Sequence, residues 1–336
     1  MLKKITQQKT IQNQEIIEYS IKNDALEIRF LNIGGAITKI AMATDNYEQN
    51  LVLNYADWSD YLDNGCFLNA LIGRTSNRIV GGKFTFEGRE IQLDSNDGNH
   101  NLHGGVDNLT HRLFDVSEVA DGFVLNTTLP HQADGFPGNL DVTVYYQLVD
   151  NKFKINYEAT TDQTTIVNLT HHAYFNLSGN AKRTIYDHEL TLAATHVAEV
   201  DDTSGFTEKL LPVAGTRFDF NEPTIIEPIG REEHYLFDNT SGYDHLFVID
   251  PVAKTAVKFK DLQSGRTMHV TTTEPSLQFY AGNFITDEII FEGNRTGEIH
   301  LGACFETHKV PFDFDSQILR PGEVYQQTTN FEFTVE

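Results

Sequence analysis

The sequence contains little cysteine and no long apolar run. Its only cysteines, Cys66 and Cys304, form no CxxC motif. A zinc ribbon, a redox pair and a disulfide framework are therefore disfavoured, and a reducing compartment is expected. No run of about 18 apolar residues occurs, so no membrane span is predicted. The lysine-bearing N-terminus lacks the apolar segment of a secretory signal, and we expect a soluble cytoplasmic protein.

Basic residues are also scarce. The 336 residues include 25 Lys and Arg against 48 Asp and Glu, which gives a formal net charge of −23. Such a field disfavours nucleic acid and anionic lipid as partners and slows the approach of phosphorylated substrates. It places no penalty on a neutral ligand.

Several motifs of common enzyme classes are absent. The sequence has no GxGxxG after a predicted strand, no Walker A motif and no HExxH. It also lacks the GxSxG nucleophile elbow. Nucleotide cofactors, zinc-dependent hydrolysis and serine hydrolysis are therefore disfavoured.

Alternation of apolar and polar residues recurs along the chain and predicts β-strands. Hairpins are predicted for 140–149 with 152–160, for 82–93 around Glu87 and Gly88, and for 255–272 turning at Ser264 and Gly265. The terminal NFEFTV is also strand-like. The best helical candidate is 55–64, with room for two or three turns.

These patterns predict an all-β protein with very little helix. No Pro/Ser-rich linker, low-complexity tract or internal repeat divides the chain. We therefore expect residues 1–336 to form one large antiparallel β-sandwich domain. Two packed β halves are the alternative.

The stretch NLTHHAYFNL, residues 168–177, places two histidines side by side. In an extended chain, Asn168, Thr170, His172, Tyr174 and Asn176 share one wholly polar face. His171 shares the other face with apolar residues. Neutral hydrogen-bonding and aromatic groups are typical of a pocket for an uncharged, hydroxyl-rich ligand. This pattern predicts that His172 does chemistry and that His171 packs in the core.

Other segments carry groups that bind or protonate a sugar, although each alone also fits an ordinary structural role. They are GRTSNRIVGGKF with Arg74 or Arg78, NLHGG with His103, GYDHLFVI with Asp244, EPSLQFYAGNF with Gln278, and ACFETHKVPFDF with Glu306. In EPSLQFYAGNF, Ser276, Gln278 and Tyr280 share a strand face. Glycines after His103 would let backbone approach a ligand.

Together and in this order, these blocks resemble the aldose 1-epimerase family, the galactose mutarotases. The matching blocks run from about residue 73 to residue 333 and include the terminal LRPGEVYQQTTNFEF. The resemblance implies a large β-sandwich that interconverts the α and β anomers of free aldohexoses such as galactose and glucose. It also implies a monosaccharide substrate and no cofactor or metal. Monomer and homodimer both remain open.

The resemblance also implies roles for individual residues. Glu306 corresponds to the general base, His172 to the general acid and His103 to a second histidine near the ring oxygen. Asn77, Arg78, Asp244, Gln278 and Tyr174 correspond to sugar-binding residues. The family's spacing to the histidine of the HGG motif selects Arg78 over Arg74.

Two positions depart from the family pattern. Family members commonly have asparagine at the position of His171, which lies on the predicted apolar face. The family often reads T-Q-H where this chain reads Thr307-His308-Lys309. If the strand continues, His308 shares a face with Glu306 and either tunes the base or borders the pocket.

Four rival interpretations remain. A glycosidase would use two carboxylates, such as Glu306 and Asp244. A sugar-binding protein would need no opposed acid and base. A hexose-phosphate mutarotase would need a basic cluster, which these motifs lack. A metal site of His103, His172 and His308 has no supporting ligand spacing.

Overall fold

The regular secondary structure of the computed structural model is mainly antiparallel strand, and the model describes residues 1–86, 88–229, 234–237, 240 and 242–336. The strands are β1 (Leu2–Ile11), β2 (Gln14–Lys22), β3 (Leu26–Leu31), β4 (Ile37–Met42), β5 (Leu71–Ile72), β6 (Arg78–Ile79), β7 (Lys83–Phe86), β8 (Arg89–Gln92), β9 (Asn101–Leu102), β10 (Asp115–Val119), β11 (Gly122–Leu129), β12 (Leu140–Val149), β13 (Lys152–Thr161) and β14 (Thr165–Ile166). The chain continues with β15 (Thr170–His171), β16 (His188–Leu192), β17 (Ala194–Val200), β18 (Phe206–Pro212), β19 (Thr224–Ile225), β20 (Asp244–Ile249), β21 (Val257–Asp261), β22 (Arg266–Thr272), β23 (Ser276–Tyr280), β24 (Ile290–Phe291), β25 (Arg295–Thr296), β26 (Cys304–His308), β27 (Ile318–Leu319) and β28 (Tyr325–Val335).

Helical structure is limited to short turns within the described ranges. The α-helices are α1 (Asp60–Asp63) and α2 (Phe314–Gln317). Single 3-10 turns lie at Ala43–Asp45, Val80–Gly82, Leu109–His111, Ala133–Gly135, Tyr235–Phe237 and Glu292–Asn294. None of the helices in the described ranges has the length and apolar character needed to cross a membrane.

Three larger sheets form the body of the protein. A four-stranded sheet has the order β1-β2-β3-β4, and a nine-stranded sheet has the order β10-β11-β12-β13-β28-β22-β21-β16-β19. The third sheet has five strands in the order β18-β17-β20-β23-β26. The structure also contains two-stranded ribbons, such as β5 with β15 and β6 with β9. The predicted all-β class with very little helix is confirmed.

The hydrophobic core lies between the nine-stranded sheet and the two smaller sheets. Phe30 of the four-stranded sheet packs edge-on against Tyr146 of the nine-stranded sheet, with ring centroids 5.0 Å apart. Phe305 of the five-stranded sheet packs against Phe259 of the nine-stranded sheet at 5.2 Å. Alternate side chains of β12 are buried, as expected for a strand with one face in a sandwich core. The apolar period of two therefore determines which faces meet.

The predicted hairpins are confirmed. Strand β12 pairs with β13, β21 with β22 and β7 with β8, all antiparallel. Glu87, in the predicted turn between β7 and β8, lies outside the described residues. The terminal strand is also present and pairs with β13 and β22.

The predicted helix at 55–64 is much shorter than expected. Only Asp60–Asp63 is helical, and Asn64 ends the helix in the left-handed region at φ 36°. The Asn64 side chain then accepts from the Leu68 N–H at 2.7 Å. Upstream, Tyr55 forms an isolated β-bridge with Phe291. Tertiary pairing and an asparagine cap therefore override the local helical pattern.

Candidate active site

All eight predicted site residues line one cavity of about 270 Å³. This volume lies near the lower end of the range for small-molecule pockets, about 300–1,000 Å³. The lining consists of Gly65, Cys66, Phe67, Asn77, Arg78, Leu102, His103, His172, Tyr174, Asp244, Gln278, Tyr280, Phe284 and Glu306. Polar groups from distant segments thus converge on a space suited to one small ligand.

The five-stranded sheet supplies one wall of the cavity. Asp244 is the first residue of β20, as expected from its place before an apolar run. On the adjacent strands, Gln278 of β23 lies opposite Glu306 of β26. Tyr280 follows Gln278 by two residues and therefore lies on the same face of β23. Strand register thus brings a carboxylate, an amide and a second carboxylate together.

Glu306 and His172 form the centre of the site. Glu306 Oε1 lies 3.4 Å from His172 Nε2, and both side chains are buried. Burial and the nearby Asp244 carboxylate raise the pKa of Glu306 well above its usual range, although Arg78 opposes this shift. Burial lowers the pKa of His172 to about 4. The low-dielectric site therefore favours one proton shared by the pair, with no net charge.

Glu306 also has an unused hydrogen-bonding atom. Its Oε2 is buried, and none of the described residues gives it a hydrogen-bond partner. A buried carboxylate oxygen without a partner is costly, and such atoms concentrate at functional sites. Because Glu306 lines the cavity, a bound ligand hydroxyl can donate to this oxygen.

His103 is held by a reciprocal backbone contact with Asn77. The Asn77 N–H donates to His103 Nδ1 at 3.2 Å, and the His103 N–H donates to the Asn77 carbonyl at 3.2 Å. The φ angles of Asn77 and His103 are both positive, at 64° and 54° respectively. Because Nδ1 accepts, the neutral ring carries its proton on Nε2. Burial and the neighbouring His172 lower the pKa of His103, so the ring is a neutral donor.

Gly104 allows this turn to approach the rest of the site. Its φ is 87°, and a Cβ at this position would lie 2.4 Å from the Arg74 nitrogen and 2.6 Å from the Gly73 carbonyl oxygen. Both the conformation and the close approach therefore require glycine. Gly104 of NLHGG thus serves a close approach to protein backbone, and the approach of backbone to a ligand stays a prediction.

A chain of amide hydrogen bonds orients Asp244. Asn77 Nδ2 donates to Gln278 Oε1 at 2.9 Å, and Gln278 Nε2 donates to Asp244 Oδ1 at 2.7 Å. Burial raises the pKa of Asp244, while Arg78 and the bond from Gln278 lower it. The second carboxylate oxygen of Asp244 is left to accept from a ligand. Asn77 and Gln278 thus orient the Asp244 carboxylate, and both also line the cavity.

The two arginines of GRTSNRI have different roles. The Arg74 guanidinium is buried and donates to the carbonyls of Pro137 at 2.7 Å and Gly138 at 3.0 Å. Arg78 lines the cavity, and its Nε donates to Asp97 Oδ2 at 2.7 Å. Arg74 therefore ties loops together, and Arg78 presents a cation to the cavity.

Asp97, which the sequence analysis did not select, is predicted to position Arg78 for ligand binding. Replacing Asp97 with alanine should raise KM by about three- to tenfold, as expected from losing one partly exposed charge-assisted hydrogen bond. The kcat should change less, because Asp97 does not line the cavity. Steady-state kinetics would check this split. An unchanged KM would show that Arg78 needs no such support.

Aromatic residues form the rest of the wall. Tyr174 lines the cavity, but its hydroxyl donates to the Cys66 carbonyl at 2.9 Å. Its ring lies 5.0 Å from that of His172. Phe284 is 57% exposed and stacks on Tyr280 at 6.1 Å, which places it at the mouth. Sequence reasoning missed Phe67 and Phe284, and only the strand period of β23 indicated Tyr280.

The predicted polar face of 168–177 is only partly a pocket face. His172 and Tyr174 line the cavity. Asn168, Thr170 and Asn176 instead donate to backbone carbonyls of neighbouring segments at 3.0, 2.8 and 2.7 Å. The stretch is strand only at Thr170–His171, so its remaining backbone groups need other partners. The prediction that the whole face serves a ligand is therefore wrong.

His171, next to His172 in the chain, and His308, two residues after Glu306, are buried but do not line the cavity. The His171 ring lies 6.1 Å from that of Tyr146 in the core, as predicted for a packing residue. Burial and the neighbouring His172 lower its pKa to about 3. Strand β26 continues through His308, whose Nδ1 contacts the Lys309 carbonyl at 2.7 Å. His308 thus lies beyond Glu306 on the same strand face.

Potential metal-binding atoms of His103, His172 and Glu306 lie within 4.8 Å of one another. Such a set is compact enough to hold an ion. However, His103 Nδ1 already accepts from backbone, so the neutral ring carries its proton on Nε2. This arrangement favours donation to a ligand oxygen over metal coordination.

Comparisons with known proteins agree with this geometry. The profile of the family described as aldose 1-epimerase matches residues 18–332. A galactose mutarotase of Sus scrofa is 34% identical over 329 residues, covering 95% of this chain and 94% of the relative. An aldose 1-epimerase of Escherichia coli K12 is 33% identical over 309 residues, covering 87% of each chain. The crystal structure of a galactose 1-epimerase from Lactobacillus acidophilus superposes with a TM-score of 0.88 at 25% identity, covering 99% of both chains.

Proposed function

The chain belongs to the aldose 1-epimerase family, and we propose that it is a mutarotase that interconverts the α and β anomers of free aldohexoses such as galactose and glucose. The main supporting observation is the buried Glu306–His172 pair, with 3.4 Å between Oε1 and Nε2, in a cavity of a size suited to one small ligand. Mutarotation needs one base and one acid on either side of the anomeric centre.

In this proposal, the Glu306 carboxylate removes the proton from O1 while protonated His172 gives a proton to the ring oxygen O5. The C1–O5 bond then breaks, leaving an open-chain aldehyde, neutral His172 and protonated Glu306. Rotation about C1–C2 presents the other carbonyl face. Closure returns the proton from Glu306 to O1 and the proton at O5 to His172, so no proton is gained or lost.

The shared proton suits this cycle. One proton on the pair serves both the closed-ring and the open-chain stages, and only its position changes. Burial and Asp244 favour the protonated carboxyl of Glu306, and Arg78 opposes them. Because the reverse reaction exchanges the roles of acid and base, each group must be able to hold the proton.

The other polar groups would hold the remaining sugar oxygens. Arg78 and the Nε2–H of His103 are donors, and the free oxygen of Asp244 is an acceptor. Their hydrogen bonds to protein atoms fix their directions before the ligand arrives. This preorganisation would leave C1 free to rotate while the rest of the sugar stays bound.

The rival functions fit less well. A sugar phosphate would need a concentration of positive charge, but Arg78 is the only Lys or Arg among the cavity-lining residues that the structure describes, and Asp97 pairs with it. A glycosidase would need a second carboxyl acting at the glycosidic bond. Asp244 instead accepts from Gln278 and is directed by the amide chain.

An NMR experiment separates these functions. The anomeric proton signals of freshly dissolved α-galactose are followed with and without protein, and methyl β-galactoside serves as a second substrate. A mutarotase should speed the approach to the same anomer ratio and leave the methyl glycoside intact. Methanol release would indicate a glycosidase. Unchanged rates across several aldoses, with binding detected by calorimetry, would indicate a sugar-binding protein.

The pH dependence of kcat/KM should be bell-shaped, because the pair needs one proton. On the acid side, the pair takes up a second proton on His172 near pH 4, because burial lowers the pKa of His172 to about 4. With both groups protonated, no base remains. On the alkaline side, activity falls as pH rises through the raised pKa of Glu306, because the pair loses its proton. Background-corrected polarimetry would measure both limbs. An acid limb at about pH 6.5, the ordinary pKa of histidine, would contradict a His172 whose pKa is lowered by burial.

A further inference from the structure

Cys304 contacts the side of His172 that faces away from Glu306. Its Sγ lies 3.4 Å from His172 Nδ1, within hydrogen-bonding range for sulfur. Cys304 is buried and fully shielded from solvent. It lies two residues before Glu306 on β26, so both side chains point to the same face. Strand β26 therefore positions both Glu306, the proposed base, and Cys304, which contacts the proposed acid His172.

The thiol keeps its proton in this environment. Burial, together with the carboxylates of Glu306 and Asp244, raises the pKa of Cys304 well above its usual range. A protonated thiol can donate S–H to the lone pair of Nδ1 or accept N–H from it. In the first case neutral His172 carries its proton on Nε2 and has no lone pair there to take a proton back from the sugar. In the second case Nδ1 is protonated, and Nε2 is left to gain and lose the proton that the reaction needs.

The second arrangement matches a histidine whose Nε2 alternates between acid and base. A carboxylate at Nδ1 would stabilise the imidazolium and hold His172 in the charged form. A neutral thiol is a weaker acceptor and therefore leaves both protonation states of the ring accessible.

The other described groups around His172 do not contact Nδ1 in place of the Cys304 thiol. The facing ionisable and charged groups are Glu306 of β26, His103, Tyr174, Tyr280, Cys66, Asp244 and Arg78. Tyr174 and Tyr280 have hydroxyl contacts elsewhere, with the Cys66 carbonyl and the Phe284 N–H. His171 is adjacent in the chain and lies on the core side.

We propose that Cys304 is a positioning residue that sets the tautomer and ring orientation of His172 through its hydrogen bond to Nδ1. This inference rests on the proposed mutarotase function. In each cycle His172 gives up and regains only the proton on Nε2, so Nδ1 keeps its proton and donates it to the thiol sulfur in both the imidazolium and the neutral form. Nε2 is thereby kept facing Glu306 and the ring oxygen.

The test compares Cys304→Ala with Cys304→Ser. Alanine and serine both remove the sulfur, and only serine restores a group that donates and accepts. Cys304→Ala should lower kcat about tenfold, the effect of one ordinary hydrogen bond, with KM changed less than about twofold. The kcat of Cys304→Ser should be at least about threefold higher than that of Cys304→Ala. Thr307→Val is the control, since this buried side chain of the same strand bonds Thr329 on the other face.

A second readout does not depend on activity. Nitrogen-15 NMR of labelled histidine, assigned with His172→Ala, should show neutral wild-type His172 with protonated Nδ1 and unprotonated Nε2. Cys304→Ala should mix the two tautomers, while Cys304→Ser and Thr307→Val should keep the wild-type pattern. Thermal melting of all variants separates loss of stability from loss of positioning.

The outcomes are distinct. If Cys304→Ala keeps the wild-type tautomer and kcat, Cys304 does not position His172. If alanine and serine lower kcat equally and neither changes the tautomer, the sulfur acts through packing, and the proposal is overturned. If the wild-type protein lacks mutarotase activity, the proposed function fails, while the NMR comparison still tests the hydrogen bond.

Discussion

Replacing Glu306 with glutamine is expected to lower kcat for mutarotation by about 10²–10⁴-fold, the usual effect of a general acid–base group. Glutamine keeps the shape and a hydrogen-bonding end but cannot take the O1 proton. Sugar affinity, measured by calorimetry, should change little, because Arg78, Asp244 and His103 retain their own contacts. Activity within tenfold of the wild type would show that another group is the base.

The same replacement should not destabilise the fold. A carboxyl whose folded pKa is raised contributes its stability below the unfolded pKa, and loses it as pH rises towards neutrality. Glu306 is such a group, and its buried Oε2 also lacks a hydrogen-bond partner within the part of the chain that the structure describes. Glu306→Gln should therefore melt at an equal or higher temperature than the wild type at neutral pH. This result would separate lost chemistry from lost structure.

Glu274 offers a matched control for the glutamate. It is also a buried carboxyl, and burial raises its pKa to about 7 despite nearby Lys309. It does not line the cavity. Glu274→Gln should therefore retain near-wild-type kcat. A similar loss in both variants would indicate a general effect of removing buried charge.

Replacing His172 with alanine is expected to lower kcat by about 10²-fold or more, because the ring oxygen would lose its proton donor. His172 Nε2 lies 3.4 Å from Glu306, and its ring contacts those of His103 and Tyr174. Some loss of binding should accompany the loss of turnover. Stopped-flow polarimetry at saturating sugar would isolate the effect on kcat.

The adjacent histidine provides the control for this variant. His171 packs against Tyr146 in the core, and neither ring nitrogen has a hydrogen-bond partner among the residues described. His171→Asn should therefore keep kcat within about threefold while changing stability. Equal losses from His172→Ala and His171→Asn would contradict the assignment of one working and one packing histidine.

The sheet structure was accessible from sequence because burial follows the strand period of two. Strand β12 alternates buried and partly exposed residues over its full length, and its partner β13 does the same. Segments without this period were harder to predict. The 55–64 stretch has helical spacing, but Tyr55 pairs with Phe291 in an isolated bridge, a partner more than two hundred residues away.

The cavity residues were accessible because their motifs resemble those of a known family. The supporting contacts were not. Cys304 reaches His172 across 132 residues of sequence, and Asp97 holds Arg78 from a loop. Such contacts depend on how strands and loops assemble, which local patterns do not encode. The polar face of 168–177 was over-assigned because polar residues that satisfy buried backbone look the same in sequence as ligand-binding residues.

Polarimetry of freshly dissolved α-galactose is the most direct test of mutarotase activity. The decay rate constant is measured in dilute buffer against protein concentration, for the wild type and for Glu306→Gln. Mutarotation predicts a rate constant that rises linearly with wild-type protein, a final rotation that stays the same, and a slope at least about a hundredfold smaller for the variant. A wild-type slope of zero with galactose, glucose and other aldoses would contradict the proposed function.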